Sequence, residues 1–453
     1  MAVRLLLPFF NEIQMTLKPF NRQTNFRRQV RAFFNYCGIY LNGNGRRIKY
    51  LKKANRFLQL SYHEQKKVQL NRLKAILIDA GEHIPYWREL FQKEHFNPQS
   101  FDKLSRLEDL PVLTKEIIQE EGPRLISDEY TLNELKMRII EGPIGTPMLL
   151  WIDTDSFHRQ MAINYRGFAR LGIRIDDKIA EIHCYNRSSP LNIFSQLSGR
   201  LYLNACNASD EKLKNLYQKL KAFQPNVIHG NTSAIFQLAL FLTEQQKFLP
   251  SIRYVCVTAE KLLSGMRKTI MQAFSAPVFE MYGCDETVRL ASECTHGNMH
   301  IDMDAAVLEL IQDGKQINSD NKILLTTLLN RAMPLIRYDV GDYGRNTGLN
   351  CFCGEHSPLI KVGDGKQQQM FQLSSGERIH ATYFTRPLYA ATEIRSFHIQ
   401  RTSQNEFEFW VVPWDCLTAQ AKDAAMAIAE KCMAGIESSV RIRVRIVDNI
   451  PCR

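Results

Sequence analysis

The spacing of apolar residues changes along the chain, and the first pattern is helical. In "SYHEQKKVQLNRLKAILIDAGEHI" (61–84) apolar residues recur three and four positions apart, which places them on one face of an α-helix. "LEDLPVLTKEIIQE" (107–120) reads as a turn that feeds a further helix. We therefore predict a helical region over residues 57–125.

After residue 135 short apolar runs alternate with helical stretches. The runs "DKIAEIHCY", "PNVIHG", "IRYVCVTAE" and "PVFEMYG" predict buried strands, and "SAIFQLALFLTEQQ" and "SGMRKTIMQAF" predict the helices between them. Strands and helices that alternate in this way are typical of α/β layers around a mostly parallel sheet. The fold class that we predict is therefore α/β.

The pattern changes again near residue 300. "AVLELI" and "KILLTTL" alternate as half-buried strands do, which leaves a distorted barrel and an antiparallel sheet as alternatives. "GDGKQQQ" (363–369) is polar and contains glycine, so we expect a hinge there. The remainder reads strand, strand, helix, strand. We predict a large domain over 57–365 and a small α+β lid over 366–453.

Length and composition narrow the class of protein. A chain of 453 residues is expected to form two or three domains. No apolar run approaches the ~20 residues that cross a bilayer, and "LLLPFF" near the start is too short for the core of a signal peptide. We therefore expect a cytoplasmic protein, whose eleven cysteines are thiols or metal ligands.

The positive charge is concentrated in an N-terminal arm, residues 1–56. The arm holds twelve of the 58 Lys and Arg residues and one of the 47 acidic residues, which leaves 46 of each sign in the remainder. Six phenylalanines are interleaved with these bases. The first interpretation is a solvated helical extension that packs on the domain below it. An anionic membrane surface is the second, and nucleic acid is the weakest.

Three predicted strands end in acidic residues. "VTAEKL" contains Glu260, "EMYGCDET" contains Asp285 and Glu286, and "MPLIRYDVGDYG" contains Asp342. Ligands of open α/β sheets bind beyond the carboxyl ends of the strands. Carboxylates in this position could hold a metal ion, ribose hydroxyls and an adenine amino group.

A second constellation combines cysteine with histidine. "ECTHGNMH" supplies Cys294 and His300, and "CFCGEH" supplies Cys351 and Cys353. These four ligand types suit a structural tetrahedral Zn2+ site. His296 and His356 are alternative ligands, and buried or unpaired cysteines are the alternative without a metal. His183 and His229 end predicted strands, where each could position a substrate or form hydrogen bonds in the core.

Taken in order, these motifs resemble the adenylate-forming superfamily, in particular its branch of phenylacetate–CoA ligases, CapK-type capsular polysaccharide proteins and coenzyme F390 synthetases. "HIPYWRELF", "LEDLPVLTKEII", "PNVIHGNTSAIFQLA", "VTAEKL", "MYGCDE", "PLIRYDVGD" and "RSFHIQ" carry the resemblance from about residue 70 to the end. The family activates a carboxylic acid with ATP to an acyl-adenylate and passes the acyl group to a thiol, usually that of coenzyme A. A carrier protein is another acceptor.

The resemblance implies roles for individual residues. Glu286 would be the catalytic residue that helps to hold Mg2+, and Asp342 would accept hydrogen bonds from the ribose. Tyr282 would flank the adenine of ATP or AMP, next to Gly283, and Ala259 with Glu260 would line the adenine edge. Asp285 stands where the family usually has Ser or Thr.

The family's phosphate loop is the segment that departs most from the pattern. "EGPIGTP" (141–147) keeps Gly142, Gly145 and Pro147, and Thr146 is also a candidate contact of the nucleotide. The hydroxyl positions, however, hold Ile140, Glu141, Pro143 and Ile144. Pro143 lacks a backbone donor, and a desolvated Glu141 would repel pyrophosphate. We expect a weakened phosphate site. A normal site that lysines such as Lys261 rescue and a misaligned motif are the alternatives.

The predicted lid also departs from the family. Lys366 replaces the arginine of the hinge motif, Gln368 and Gln369 replace its acidic pair, and the family's lysine-bearing turn would fall beyond Arg453. We expect a ligase-like enzyme of surface polysaccharide or secondary-metabolite synthesis. The alternative is a catalytically degenerate partner or scaffold that binds a nucleotide or an acyl-adenylate.

Overall fold

The computed structural model describes residues 45–140, 148–183, 199–205, 210–262, 264–287, 289–312, 320–348, 350–363, 370–375, 378–380, 382–391, 393–413, 418–436 and 439–447. The helices are α1 Gly45–Phe57, α2 Tyr62–His83, α3 Pro85–Lys93, α4 Lys115–Glu121, α5 Thr154–Arg170, α6 Asp210–Phe223, α7 Thr232–Glu244, α8 Ser264–Phe274, α9 Thr382–Ala390 and α10 Thr418–Ala434. Short 3-10 turns connect α3, α4 and the first strand.

The predicted helical region, residues 57–125, forms as α2 to α4 with short 3-10 turns. Ser61 caps α2 in a capping box, in which its hydroxyl accepts from the Glu64 N–H and the Glu64 carboxylate accepts from the Ser61 N–H at 2.8 Å. Pro85 begins α3, where its fixed φ suits the first helical turn. Trp87 and Phe91 of α3 are buried against α2, so the apolar face that the sequence predicted is the packed face.

The central sheet has seven strands in the order β4-β3-β5-β6-β7-β8-β9. They are β3 Ile179–His183, β4 Arg200–Asn204, β5 Val227–Asn231, β6 Tyr254–Thr258, β7 Val278–Gly283, β8 Arg289–Glu293 and β9 Met299–Ile301. The first five in spatial order are parallel, and β8 and β9 are antiparallel. Helices α6, α7 and α8 pack on one face of the sheet through a shared apolar core. The predicted parallel α/β layer is confirmed.

A four-stranded antiparallel sheet follows. Of the two alternatives that the sequence left open, a distorted barrel and an antiparallel sheet, the second is therefore observed. It contains β10 Ala306–Ile311, β11 Asn321–Thr327, β12 Tyr338–Asn346 and β13 Ile360–Val362, in that order. A separate hairpin, β1 Lys136–Ile140 and β2 Met148–Ile152, flanks the predicted phosphate loop.

The C-terminal part forms the predicted α+β unit. The strands β16 Ile394–Ser403, β17 Glu406–Pro413 and β18 Arg441–Ile446 make one sheet, and β14 Met370–Gln372 pairs with β15 Arg378–His380. Its core is continuous with that of α7 and α8. A Cβ on Gly435 would lie 2.6 Å from the Phe236 ring of α7, so a glycine permits this close contact.

Helix α5 carries a fully buried charge network onto the sheet. Arg166 pairs with Asp302 and Asp304 at 2.7 Å each, and Arg170 pairs with Asp302 at 3.0 Å and with Glu355 at 2.7 Å. Burial alone would raise the pKa of Asp302, but Arg166 and Arg170 hold it below its usual value. Removal of one partner from such a buried network typically costs about 3–5 kcal/mol.

Helix α1 contains the predicted boundary of the N-terminal arm. Residue 56 lies inside α1, and this helix packs on α5, where the Tyr50 hydroxyl donates to Asp155 and Arg47 contacts His158. The last part of the arm therefore belongs to the packed structure. Within the described ranges, the helices are all too short or too polar to cross a bilayer.

Candidate active site

Two residues that the sequence placed at strand ends meet at the carboxyl edge of the central sheet. The Tyr282 hydroxyl of β7 donates to Asp342 Oδ2 of β12 at 3.0 Å. Burial first, and the Asp342 carboxylate second, raise the pKa of Tyr282 well above its usual value. The phenol is therefore a permanent donor, and it ties the central sheet to the antiparallel sheet.

A β-bulge positions Asp342. Leu324 pairs with Asp339 and Lys322 pairs with Tyr343, so residue 323 alone opposes residues 340–342. Gly341 has a φ of 78°, and its N–H donates to Asp339 Oδ1 at 2.8 Å. Extra residues of this kind bend a strand and turn a side chain out of the alternating pattern, which presents the carboxylate to the edge of the sheet.

Glu286 lies three residues beyond the end of β7 and is half-buried. The Tyr338 hydroxyl donates to Glu286 Oε1 at 2.9 Å. Burial, followed by the Glu286 charge, raises the pKa of Tyr338. The tyrosine therefore fixes one carboxylate oxygen of Glu286, and a half-buried carboxylate held in this way could bind a cation such as Mg2+.

The segment after β6 lies beside β7, because Thr258 pairs with Met281. Ala259 has a φ of 71°, an uncommon conformation for a residue with a Cβ. The Glu260 carboxylate accepts from the Ser233 N–H at 2.7 Å and from its hydroxyl at 3.0 Å, so it caps α7. The Lys261 ammonium donates to the Val362 carbonyl at 2.6 Å, so it is held at the end of β13.

Arg138 of β1 is a cation at this edge that the sequence analysis missed. Its Nη1 donates to the carbonyls of Asp285 at 3.1 Å and Thr287 at 2.7 Å, and its Nη2 donates to Gln160 at 3.2 Å. Asp285 itself is exposed, and Gly283 ends β7 opposite Arg289. Arg138 thus holds the loop that carries Glu286, and no motif around it signals this role.

Several predicted residues lie outside the described ranges. These are Gly142, Gly145 and Thr146 of the phosphate loop, and Lys366 with Gln368 and Gln369 of the hinge. Their roles stay predictions. The structure describes the strands on both sides of the loop, which end at Ile140 and resume at Met148.

The four predicted zinc ligands converge, although they come from segments that are more than fifty residues apart. The sulfur atoms of Cys294, Cys351 and Cys353 and a ring nitrogen of His300 all lie within 4.8 Å of one another. Cys294 Sγ is 3.5 Å from Cys351 Sγ, and Cys353 Sγ is 3.3 Å from His300 Nε2. Ligand atoms around tetrahedral Zn2+ are separated by roughly 3.5–3.8 Å, so this donor set fits the ion.

Surrounding groups orient these ligands. His300 Nδ1 lies 3.1 Å from the Ser357 carbonyl, which can only accept, so Nδ1 carries the proton and Nε2 faces the sulfurs with its lone pair. The Asn298 side chain donates to Cys351 Sγ and the His296 N–H donates to Cys294 Sγ. The side chains of His296 and His356, the alternative ligands, are exposed. The geometry favours the four residues named first.

The two strand-end histidines share a buried carboxylate. Glu181 Oε2 lies 2.5 Å from His229 Nδ1 and 3.2 Å from His183 Nε2, and His183 Nδ1 lies 3.2 Å from Asn231 Oδ1. Burial alone would raise the pKa of Glu181, but the imidazoles and Arg200 hold it well below its usual value. Both histidines are hydrogen-bonded in the core, which was one of the two alternatives.

Sequence comparison identifies relatives at low identity. The chain is 24% identical over 314 residues to Protein CapK of Staphylococcus aureus, which covers 65% of this chain and 64% of CapK. It is 25% identical over 299 residues to the phenylacetate–coenzyme A ligase of Escherichia coli K12, which covers 63% of this chain and 68% of that enzyme. The chain thus spans just under two thirds of CapK. No family model matches it.

Comparison with solved structures identifies the same fold. 2-Hydroxyisobutyryl-CoA ligase in its postadenylation state, in complex with an acyl-adenylate, superimposes with a TM-score of 0.62 at 18% identity, over 88% of this chain and 89% of that one. The same ligase with an acyl-adenylate and CoA, in the thioesterification state, also gives 0.62. These likenesses establish the architecture of an adenylate-forming ligase.

Proposed function

We propose that this chain is a ligase of the phenylacetate–CoA ligase and CapK branch of the adenylate-forming superfamily, and that it activates a carboxylic acid with ATP and transfers the acyl group to a thiol. The observation that carries the proposal is the meeting of Tyr282, Asp342 and the Glu286 loop at one edge of the sheet. The 2-hydroxyisobutyryl-CoA ligase complexes with acyl-adenylate and CoA support these ligand classes.

In this proposal the nucleotide binds at the carboxyl edge, with its adenine against the Tyr282 ring and beside Ala259. Asp342 accepts hydrogen bonds from the ribose hydroxyls. The Tyr282 phenol already orients one of its oxygens, so less conformational entropy is lost on binding. The Glu260 side chain caps α7, which leaves the backbone of this segment to meet the adenine edge.

The first chemical step joins the acid to the nucleotide. A carboxylate oxygen of the acid attacks the α-phosphorus, the bond to the β-phosphate oxygen breaks, and pyrophosphate leaves with that electron pair. Bound Mg2+ neutralises phosphate charge. Glu286, held by Tyr338, is the protein group that would bind the ion. In the second step a thiol sulfur attacks the acyl carbon, loses its proton, and displaces AMP.

The same proposal gives the two domains different roles. Residues 57–365 would form the nucleotide- and acid-binding domain and residues 366–453 the lid. The four-ligand cluster of Cys294, His300, Cys351 and Cys353 would hold a structural Zn2+, because four protein ligands leave no open coordination position. The metal would fasten β8 and β9 to the loop between β12 and β13.

Mg-ATP binding measured by calorimetry tests the proposal first. We expect wild-type protein to bind and Glu286→Ala to bind at least tenfold more weakly, with Glu94→Ala, an exposed residue at the end of α3, as the matched control. Pyrophosphate exchange over a panel of carboxylic acids then identifies the acid. Wild-type protein that binds no Mg-ATP at millimolar concentration would refute the proposal.

One sequence observation favours the alternative, a partner or scaffold protein without catalysis. The phosphate loop contains Glu141, Pro143 and Ile144 in place of hydroxyl residues. The triple variant Glu141→Ser, Pro143→Ser, Ile144→Thr should bind ATP more tightly than wild type, because it restores a donor and removes a negative charge. An unchanged affinity would mean that this segment does not contact the phosphates.

We also propose a setting and a membrane contact. The setting is surface polysaccharide or secondary-metabolite synthesis, and its basis is the resemblance of the sequence motifs to the CapK-type branch. The bases and aromatics of residues 1–44 suit an anionic membrane surface. Deletion of 1–44, which leaves α1 in place on α5, should abolish sedimentation with anionic liposomes. Sedimentation that survives the deletion would exclude this segment as the anchor.

A further inference from the structure

A cavity of about 380 Å³ lies between α1, α5 and the first residues of β3 and β4. This volume is within the range of small-molecule sites. Ile179 and Arg200 begin their strands and line the cavity, so it opens at the amino edge of the parallel sheet. Counted from Ile179 of β3, Tyr282 lies three strands across the sheet and five residues further in the strand direction. These steps place it roughly 20 Å from the cavity. The cavity is therefore separate from the candidate active site.

The walls combine a large apolar surface with a few polar groups. Leu51 of α1, Phe168 of α5 and Ile173 supply much of the apolar wall. Arg174 also lines the cavity, but its Nε is paired with Asp176 Oδ1 at 2.9 Å. This pair is electrically balanced at the mouth of the cavity, so the charge that a ligand would meet comes from other side chains.

Arg200 supplies most of the positive charge that a ligand in the cavity would meet. Its side chain is 10% exposed, its nearest acid is Glu181 Oε1 at 3.7 Å, and its guanidinium lies 5.7 Å from the Tyr165 ring. No residue of the described ranges accepts a hydrogen bond from it. The other oxygen of Glu181 is engaged by His229 and His183. A buried guanidinium normally satisfies its donors, so Arg200 retains donors for a ligand in the cavity.

Helix α1 contributes two further polar groups to the same wall. Asn55 Oδ1 is buried and has no hydrogen-bond donor in the part of the chain that the structure describes. Lys52 is half-buried and also lines this wall. A buried acceptor without a donor is energetically costly. A ligand that donates to Asn55 and pairs with Arg200 would recover this cost.

We propose that this cavity is a binding site for a small organic anion, distinct from the site of the acid and the nucleotide. A carboxylate or phosphate of the ligand pairs with the Arg200 guanidinium, whose planar fork matches such oxyanions. A hydroxyl or amine of the ligand donates to Asn55, and its apolar body lies along Leu51 and Phe168. Binding joins α1 to the central sheet.

Calorimetry on the full chain, with hexyl phosphate and hexanoate as probes, tests this site. Hexanol and inorganic phosphate each lack one half of the proposed ligand, so we expect at least tenfold weaker binding of either. Arg200→Met should weaken the probes that bind by at least tenfold. Arg253→Gln removes a half-exposed arginine of the same sheet edge that does not line the cavity, so it should bind them as wild type does.

Further variants keep the test informative if Arg200→Met fails to fold. Ile48→Trp fills the cavity from α1 and should abolish binding without removing a charge. Excess AMP should not displace the probe; displacement would place it in the candidate active site and overturn the proposal. Equal affinity in Arg200→Met or Ile48→Trp, or no binding of either probe to wild type, would also overturn it. So would binding to phosphatidic acid vesicles alone, which would indicate a lipid surface.

Discussion

The Tyr282 hydroxyl donates to the Asp342 carboxylate at 3.0 Å, and this bond joins the end of β7 to the middle of β12, which belongs to a different sheet. The residues are sixty positions apart in the chain. The contact fixes a carboxylate at the edge where the proposed nucleotide binds, so its loss should affect nucleotide affinity.

Asp342→Asn should lower the affinity for AMP on the order of tenfold to a hundredfold, because a charged acceptor for the ribose hydroxyls is lost. Tyr282→Phe keeps the ring and removes only the orienting hydrogen bond, so we expect a loss of about threefold. Calorimetric titration with AMP measures both. Asp109→Asn, an exposed carboxylate, is the control. Equal affinities for AMP in the wild type and the three variants would show that Tyr282 and Asp342 do not contribute to nucleotide binding.

Arg138→Met should loosen the loop that carries Glu286. The variant loses the hydrogen bonds to the Asp285 and Thr287 carbonyls, so we expect about 1–3 kcal/mol less stability in urea unfolding and at least tenfold weaker Mg-ATP binding. Arg138→Lys keeps a charged donor and should recover part of the affinity. A variant that loses stability but binds Mg-ATP normally would show that Arg138 acts on folding alone.

Purified protein should contain about one zinc per chain by metal analysis. Cys351→Ser with Cys353→Ser should lose the metal and unfold at lower temperature, because the ion joins segments that are more than fifty residues apart. His356→Asn removes an exposed side chain next to the site and should retain the metal. Unchanged zinc content in the double cysteine variant would refute the site.

His158 predicts a pH dependence of stability. Its burial, followed by the charges of Arg47 and Lys136, lowers the pKa of His158 from 6.5 to about 4. Between these values the unfolded chain binds a proton that the folded protein does not, so stability decreases as the pH falls from 6.5 to 4. His158→Gln should flatten this decrease by about 1 kcal/mol or more, as urea unfolding at several pH values would measure.

The control for that experiment is His398→Gln, since His398 is exposed on β16. We expect this variant to follow the wild-type pH profile. If His158→Gln also follows it, the imidazole is protonated alike in the folded and the unfolded chain, and another group carries the dependence.

The elements that the sequence predicted correctly are those with strong local patterns. β6, with the sequence YVCVT, is a nearly continuous apolar run, and such runs indicate strands buried on both faces. β4, with the sequence RLYLN, begins with arginine and ends with asparagine. It gave no such signal, because its strand conformation depends on pairing with β3. α9 was also missed, since it contains Pro387.

Part of the candidate active site could also be predicted from the sequence. Glu286 and Asp342 could be found because they follow apolar strands in a recognisable order. Arg138 could not, because its partners are about 150 residues away and it lies within an ordinary amphipathic strand. The ion pair of Arg166 and Asp302 could not be predicted for the same reason, because the two residues are 136 positions apart. Contacts of this range depend on the tertiary fold and leave no local pattern.

The bond between the Lys261 ammonium and the Val362 carbonyl has a mechanical consequence. Lys261 follows the segment beside the proposed adenine site, and it also lies 3.4 Å from the carbonyl of Gly363, which is the first residue of the predicted hinge and its only described one. The chain is therefore anchored to the nucleotide edge up to Gly363. The hinge that the sequence predicts would therefore allow movement only beyond this residue, outside the described ranges.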